Sequence, residues 1–156
     1  MYERTLRILS CGGGGRSPGR ATLNSVERVL LAAAVSSCSV LDIEGMVNNY
    51  FENATSFLTT HRELVIGKAG VGDYLRGATS TMDPKTMNCR FKAYTNFKNS
   101  DEQVTIAGWD TITGEIEGAP FINEGRTSFI LNKRDGIWKI SHFHRSPLPA
   151  LKNIKK

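Results

Sequence analysis

Residues 137–149 read IWKISHFHRSPLP, and this stretch decides how the chain folds. It follows a turn at 134–136, and its two prolines, Pro147 and Pro149, end it, which predicts a final β-strand over 137–146. Alternate side chains of a strand point the same way, so one face is expected to carry Trp138, Ile140, His142, His144 and Ser146. Because Trp138 and Ile140 are apolar, we expect this face to look into the protein interior.

Three further strands precede the last one. Residues 88–98 alternate in polarity, and a turn at 99–101 leads into a long strand over about 103–117. A second turn leads into a strand over about 121–132, and the turn at 134–136 then leads into the last strand. The pattern predicts a meander of long antiparallel strands.

Helices dominate the first half of the chain. Apolar residues recur at helical spacing over about 24–36, 43–51 and 69–76, and a short strand is predicted near 55–59. Helices followed by strands indicate the α+β class. We expect a curved antiparallel sheet that forms a half-open cone, with the helices packed on its concave face and a ligand pocket at its mouth.

Length and charge indicate one domain between two basic tails. The chain has 156 residues and a net charge of +5. Residues 1–20 and 151–156 each contribute +3, which leaves −1 for the predicted domain at 21–150. A basic nucleic-acid-binding face is therefore not expected. The longest apolar run is far shorter than the roughly 20 residues that span a bilayer, so no membrane partner is expected either.

The three cysteines, Cys11, Cys38 and Cys89, are scattered and odd in number. This pattern favours reduced thiols over a disulfide framework, and hence a cytoplasmic protein. The Arg-rich, acid-poor N-terminus leaves organelle import open.

Five motifs together resemble a known superfamily. They are FENAT at 51–55, IGKAGV at 66–71, GRTSF at 125–129, RDGIWKI at 134–140 and HFHRS at 142–146. These motifs resemble nuclear transport factor 2-like domains, in particular the SnoaL-like branch related to ketosteroid isomerase. The HFHRS motif, followed by proline, is also similar to the last strand of the association domain of calcium/calmodulin-dependent kinase II.

The resemblance implies a cone-shaped domain, but not steroid isomerase chemistry. Leu58 and Thr127 stand where ketosteroid isomerases carry their catalytic aspartates. The fold also hosts cyclases, dehydratases and oligomerisation hubs, so the activity must be argued from the site itself.

Three residues are the candidate catalytic groups: His142, His144 and Asp110. Two imidazoles on one strand face can accept and donate protons in turn. Asp110 has the parity of apolar neighbours, where a carboxylate needs a partner such as Arg126 or a histidine, or else a raised pKa. A bulge at Gly108 would instead turn Asp110 toward water. The candidate ligand-binding residues are Arg126, Ser146, Trp138, Tyr50 and Tyr74, with the two tyrosines placed on helices.

The sequence therefore predicts an enzyme or binding protein for a small molecule. The chemistry would be proton transfer of the isomerase, cyclase or dehydratase type. His-x-His could supply two metal ligands, with Asp110 or His61 as a third, but no spacing demands it, so neither a metal nor a redox cofactor is expected. A hydratase similar to metal-free carbonic anhydrases is a minor alternative.

The main alternative is a non-catalytic association module. Trp109 and Tyr94 have outward parity, together with Thr105, Thr111 and Thr113. Aromatic residues on an exposed sheet face favour self-association, most simply as a dimer.

Overall fold

A computed structural model describes residues 25–148. The two predicted tails, Cys11 and Pro149 lie outside these residues. The described part contains three helices, α1 (Ser25–Ser39), α2 (Ile43–Asn48) and α3 (Gly67–Ala78). It contains six strands, β1 (Tyr50–Phe57), β2 (Val65–Ile66), β3 (Asn88–Ser100), β4 (Gln103–Ile116), β5 (Ala119–Arg134) and β6 (Ile137–Pro147).

Helix α2 is shorter than the sequence predicts. It begins at the Asp42 cap, whose side chain accepts a hydrogen bond from the Gly45 N–H at 2.9 Å. It ends at Asn49, whose side-chain amide donates to the Gly45 carbonyl at 2.8 Å and so occupies a carbonyl of the last turn. Tyr50 therefore begins strand β1. The prediction that Tyr50 lies on a helix was wrong.

The strands form one curved, mixed sheet in the order β2-β1-β6-β5-β4-β3. The meander β3 to β6 is antiparallel, as predicted. Strand β1 adds to it by pairing parallel with β6, while the short β2 pairs antiparallel with β1. The fold class is α+β, with the helices on the concave face of an unclosed cone.

A β-bulge in β6 corrects the predicted parity of that strand. Leu131 pairs with Ile140, but the next residue of β5 in the ladder, Ile130, pairs with His142 and leaves Ser141 as the extra residue. The Ser141 hydroxyl donates to the Ile130 carbonyl at 3.0 Å. Beyond the bulge, Phe143 and Arg145 face the interior, while the residues on the outer face are His142, His144 and Ser146. The expectation that these three face inward with Ile140 was wrong.

The hydrophobic core lies between the helices and the concave side of the sheet. Its buried members are Leu31, Tyr50, Ala54, Val71, Val104, Ile106, Phe129, Leu131 and Ile140. Trp138 is partly buried and packs against this core. No helix within residues 25–148 is long and apolar enough to cross a membrane.

Cys38 and Cys89 form a disulfide between the end of α1 and the start of β3. Their Cα atoms lie 5.9 Å apart, although the two residues are 51 positions apart in sequence. The sequence favoured reduced thiols because cysteine count and spacing carry no information on which helix end meets which strand. The structure corrects that expectation for these two residues.

Candidate functional site

A cavity of about 300 Å³ lies between the three helices and the concave face of the sheet. Most of its wall is apolar and comes from every layer of the fold, including Leu31, Val35, Met46, Val71, Met87 and Phe129. Its polar lining contains Asp110 and Arg145, which interact directly. The cavity is thus an apolar chamber with a localised polar site, the usual design of a small-molecule pocket.

Asp110 and Arg145 form a two-point ion pair. The Arg145 Nη2 lies 2.6 Å from Asp110 Oδ1, and its Nε lies 2.9 Å from the same oxygen and 3.1 Å from Oδ2. The two side chains are only 10% and 12% exposed. The Thr127 hydroxyl donates a further hydrogen bond to Asp110 Oδ2. Bidentate contact at low exposure fixes the carboxylate in one orientation.

The remaining guanidinium contacts fix Arg145 as well. Its Nη1 donates to Thr59 Oγ1 at 3.2 Å, and its Nη2 donates to Asn123 Oδ1 at 3.0 Å. Gly125 makes room for the guanidinium, because a Cβ at this position would lie 2.8 Å from its central carbon. Four strands or their adjoining loops therefore converge on one cation.

Two tyrosines line the cavity. Tyr50 is buried at the start of β1, and burial raises the pKa of its phenol well above the usual range, so the hydroxyl stays protonated. Tyr74 projects from α3 and accepts a hydrogen bond from Thr60 Oγ1 at 3.4 Å. The ring of His61 packs edge-on against Tyr74, with centroids 5.2 Å apart.

The two candidate histidines lie away from this cavity, on the outer face of the sheet. His142 Nδ1 is 2.8 Å from Thr55 Oγ1. Phe57 packs edge-on against both imidazoles, at 6.2 Å from His142 and 6.0 Å from His144. Burial, and secondarily the neighbouring His144, lowers the pKa of His142 below its usual value.

Other predicted ligand-binding residues also lie outside the cavity. Arg126 is exposed and stands in register between Trp109 and Ser146 on the outer face. It cannot be the inward partner of Asp110, a role that Arg145 takes. Trp138 packs beside the core and does not line the cavity.

Asp110 and the residues hydrogen-bonded around it and Arg145 form a polar cluster, of which the sequence did not predict four members: Arg145, Thr127, Asn123 and Thr59. Arg145 stands between His144 and Ser146, so the assumed parity placed it outside. Thr127 was considered only as the position at which ketosteroid isomerases carry a catalytic aspartate, and not as a hydrogen-bond donor. Within residues 25–148, no group of three or more His, Cys, Asp or Glu side chains is arranged to hold a metal ion.

Several solved structures have an architecture similar to that of this chain, and they come from different kinds of protein. A ketosteroid isomerase-like protein from Erwinia carotovora atroseptica is 14% identical, with a TM-score of 0.66, 80% of this chain and 95% of that chain covered. A calcium/calmodulin-dependent protein kinase II association domain from Xanthomonas campestris, provisionally so assigned, is 17% identical, with a TM-score of 0.65 and coverages of 92% and 100%. A provisionally assigned scytalone dehydratase from Novosphingobium aromaticivorans is 11% identical, with a TM-score of 0.70 and coverages of 80% and 83%.

At these identities the similarity is one of fold. Another matching structure, from Shewanella oneidensis, is described as a nuclear transport factor 2-like protein. No family model matches the chain, and no curated protein is similar to it in sequence.

Proposed function

Because the chain has the nuclear transport factor 2-like fold, we propose that its cavity binds a small, largely apolar molecule and that Asp110 and Arg145 carry acid/base chemistry on it. The reaction class is proton transfer, as in an isomerase, cyclase or dehydratase. The observation that supports this most is the Asp110–Arg145 pair, nearly buried and yet part of the wall of a 300 Å³ chamber. The proposal needs neither a metal nor a redox cofactor.

The hydrogen-bond inventory leaves capacity for a ligand. A guanidinium has five N–H donors. Contacts to Asp110, Thr59 and Asn123 use four of them, which leaves one Nη1 hydrogen for a ligand oxygen. Asp110 Oδ2 accepts from Thr127 and, through the longer contact of 3.1 Å, from Arg145. In the proposed reaction the ligand displaces this longer contact, and Oδ2 then takes the proton from carbon or oxygen.

The roles of the residues follow from these contacts. Asp110 is the proposed base, and Arg145 holds it and stabilises the oxyanion that develops when a proton leaves the carbon beside a carbonyl group. The protonated hydroxyl of Tyr50 is a further donor on the cavity wall. Since Asp110 and Arg145 neutralise one another, we expect the ligand itself to be uncharged.

Deuterium incorporation tests this proposal without knowledge of the natural substrate. The protein is incubated in D₂O with a panel of cyclic ketones, and exchange at the carbon beside the carbonyl is followed by NMR. We expect exchange with at least one ketone, and its loss in Asp110→Asn. The matched control is His144→Ala on the outer face, which should exchange at the wild-type rate. Loss in His144→Ala with retention in Asp110→Asn would contradict the assignment.

The second candidate is an association module that uses the outer sheet face. Large apolar side chains stand exposed on this face, with Trp109 44% exposed and Phe57 45% exposed. Thr105 and Thr111 share the face, whereas the side chain of Tyr94 lies outside the described part of the structure. A second copy of this chain is the proposed occupant, which gives a dimer and is compatible with a ligand in the cavity on the opposite face.

A further inference from the structure

Helix α1 forms one wall of the cavity, and its side chains are mostly half-buried or exposed there. Leu31, Ala34, Val35 and Cys38 line the chamber. Of the α1 side chains whose burial is described, only Leu31 is buried, while Val29 is 67% exposed. An open groove of about 430 Å³ lies between α1 and β3, bordered by Arg28, Leu31, Val35, Phe91 and Ala93.

The attachment of α1 to β3 is concentrated at its C-terminal end. The Cys38–Cys89 disulfide links the helix to the first residues of β3. Directly beside it, the Ser39 hydroxyl accepts a hydrogen bond from the Cys89 N–H at 3.0 Å. A helix of 15 residues needs tertiary contacts to persist. The packing of Leu30 and Leu31 against the core and the covalent link at Cys38 together keep α1 over the chamber.

We propose that the Cys38–Cys89 disulfide is a redox latch that controls access to the cavity. The bond closes α1 onto β3 in the oxidised protein, and its reduction lets the helix move away from the cavity. The inference rests on the proposed function in that it assigns the cavity to a ligand.

The opening step is a thiol–disulfide exchange with a dithiol reductant, either a small molecule or a protein. One thiolate of the reductant attacks a sulfur of the bridge, the Cys38–Cys89 bond breaks, and a mixed disulfide forms. The second thiol of the reductant then displaces the protein sulfur. The cysteine pair gains two electrons and two protons, and the reductant leaves as its own disulfide. Cys38 is the more exposed of the two cysteines and is the expected point of attack.

The test compares oxidised protein with protein reduced by dithiothreitol, both in a Cys11→Ser background that prevents exchange with the third cysteine. Binding of the neutral fluorophore 1-aminoanthracene is followed by stopped-flow fluorescence. Amide hydrogen exchange of residues 25–39 is measured in parallel. We expect reduction to speed both probe association and amide exchange several-fold, with little change in the exchange of β4 and β5.

A double variant, Cys38→Ala with Cys89→Ala, supplies the control. It should behave like reduced protein and should not respond to dithiothreitol. Unchanged α1 exchange on reduction would overturn the latch, as would global unfolding, which would make the disulfide a structural staple. Failure of the probe to bind in either state would count against the proposed ligand cavity, and amide exchange would still decide on the latch.

Discussion

At the scale of single residues, Asp110 is stabilised in the apolar chamber by the polar side chains around it. A nearly buried carboxylate is costly unless it is paired and hydrogen-bonded, and Asp110 meets both conditions through Arg145 and Thr127. The sequence predicted that Asp110 needs a partner, because its neighbours of the same parity are apolar. It did not predict Arg145, because the partner depends on the register of another strand.

Removal of the cation should therefore cost more than removal of the whole pair. Arg145→Met leaves the Asp110 carboxylate buried without a counter-charge and should lower the free energy of unfolding by about 3–5 kcal/mol. The double variant Asp110→Leu with Arg145→Met should lose less, because no charge remains to be buried. Urea unfolding of the wild type, both single variants and the double variant measures this. A loss in the double variant equal to the sum of the losses in the two single variants would show that the pair is not coupled.

At the scale of the elements, strand β6 lies where the sequence predicts it, but a bulge reverses the orientation of its second half. The strands of the meander could be predicted because turn residues and apolar runs are local signals. The single bulge residue, Ser141, has no local signal of its own, and it moves each following side chain to the opposite face. His142 and His144 therefore lie against β1 on the outside, beside Thr55 and Phe57. Tyr50 lies on a strand and not on the predicted helix, because the side chain of Asn49 ends α2 one residue earlier.

The position of His142 predicts a pH dependence of stability. Its pKa in the folded chain is lowered, by burial first and by His144 second, so below about pH 6.5 the unfolded chain binds the proton more readily. The free energy of unfolding should thus decline as the pH falls below about 6.5 and should level off below the folded pKa. Chemical denaturation from pH 7.5 downward measures this slope.

Variants of the two histidines separate the causes of that slope. His142→Asn should remove this part of the pH dependence. His144→Asn should retain most of it, because burial is the larger cause and persists in that variant. A slope that is unchanged in His142→Asn would assign the pH dependence to other groups.

At the scale of the whole molecule, the two faces of the sheet have different characters. The concave face encloses the chamber, whereas the outer face exposes aromatic side chains such as Trp109 and Phe57. The general cone architecture could be predicted from helices followed by long strands. Which side chains line each face of the sheet could not be predicted, because this depends on distant residues that meet only in the folded chain.

Disruption of the outer face should abolish self-association. Sedimentation velocity at micromolar concentration should show a dimer for the wild type and a monomer for Trp109→Glu, because an interface cannot bury an unpaired charge cheaply. The matched control is Val40→Glu, which introduces the same charge at an exposed position between α1 and α2, outside the sheet. A wild-type monomer would refute the dimer.

The parallel pairing of β1 with β6 also sets the order in which the chain can be completed during synthesis. Thr55 and His142, which meet across this pair, are 87 residues apart. Strand β1 leaves the ribosome well before its partner in the main sheet, and contacts of such long range form slowly. Until then the helices and β1 have no finished sheet to cover. A nascent chain stalled before β6 should thus remain bound to chaperones, even when its helices and β1 have been synthesised.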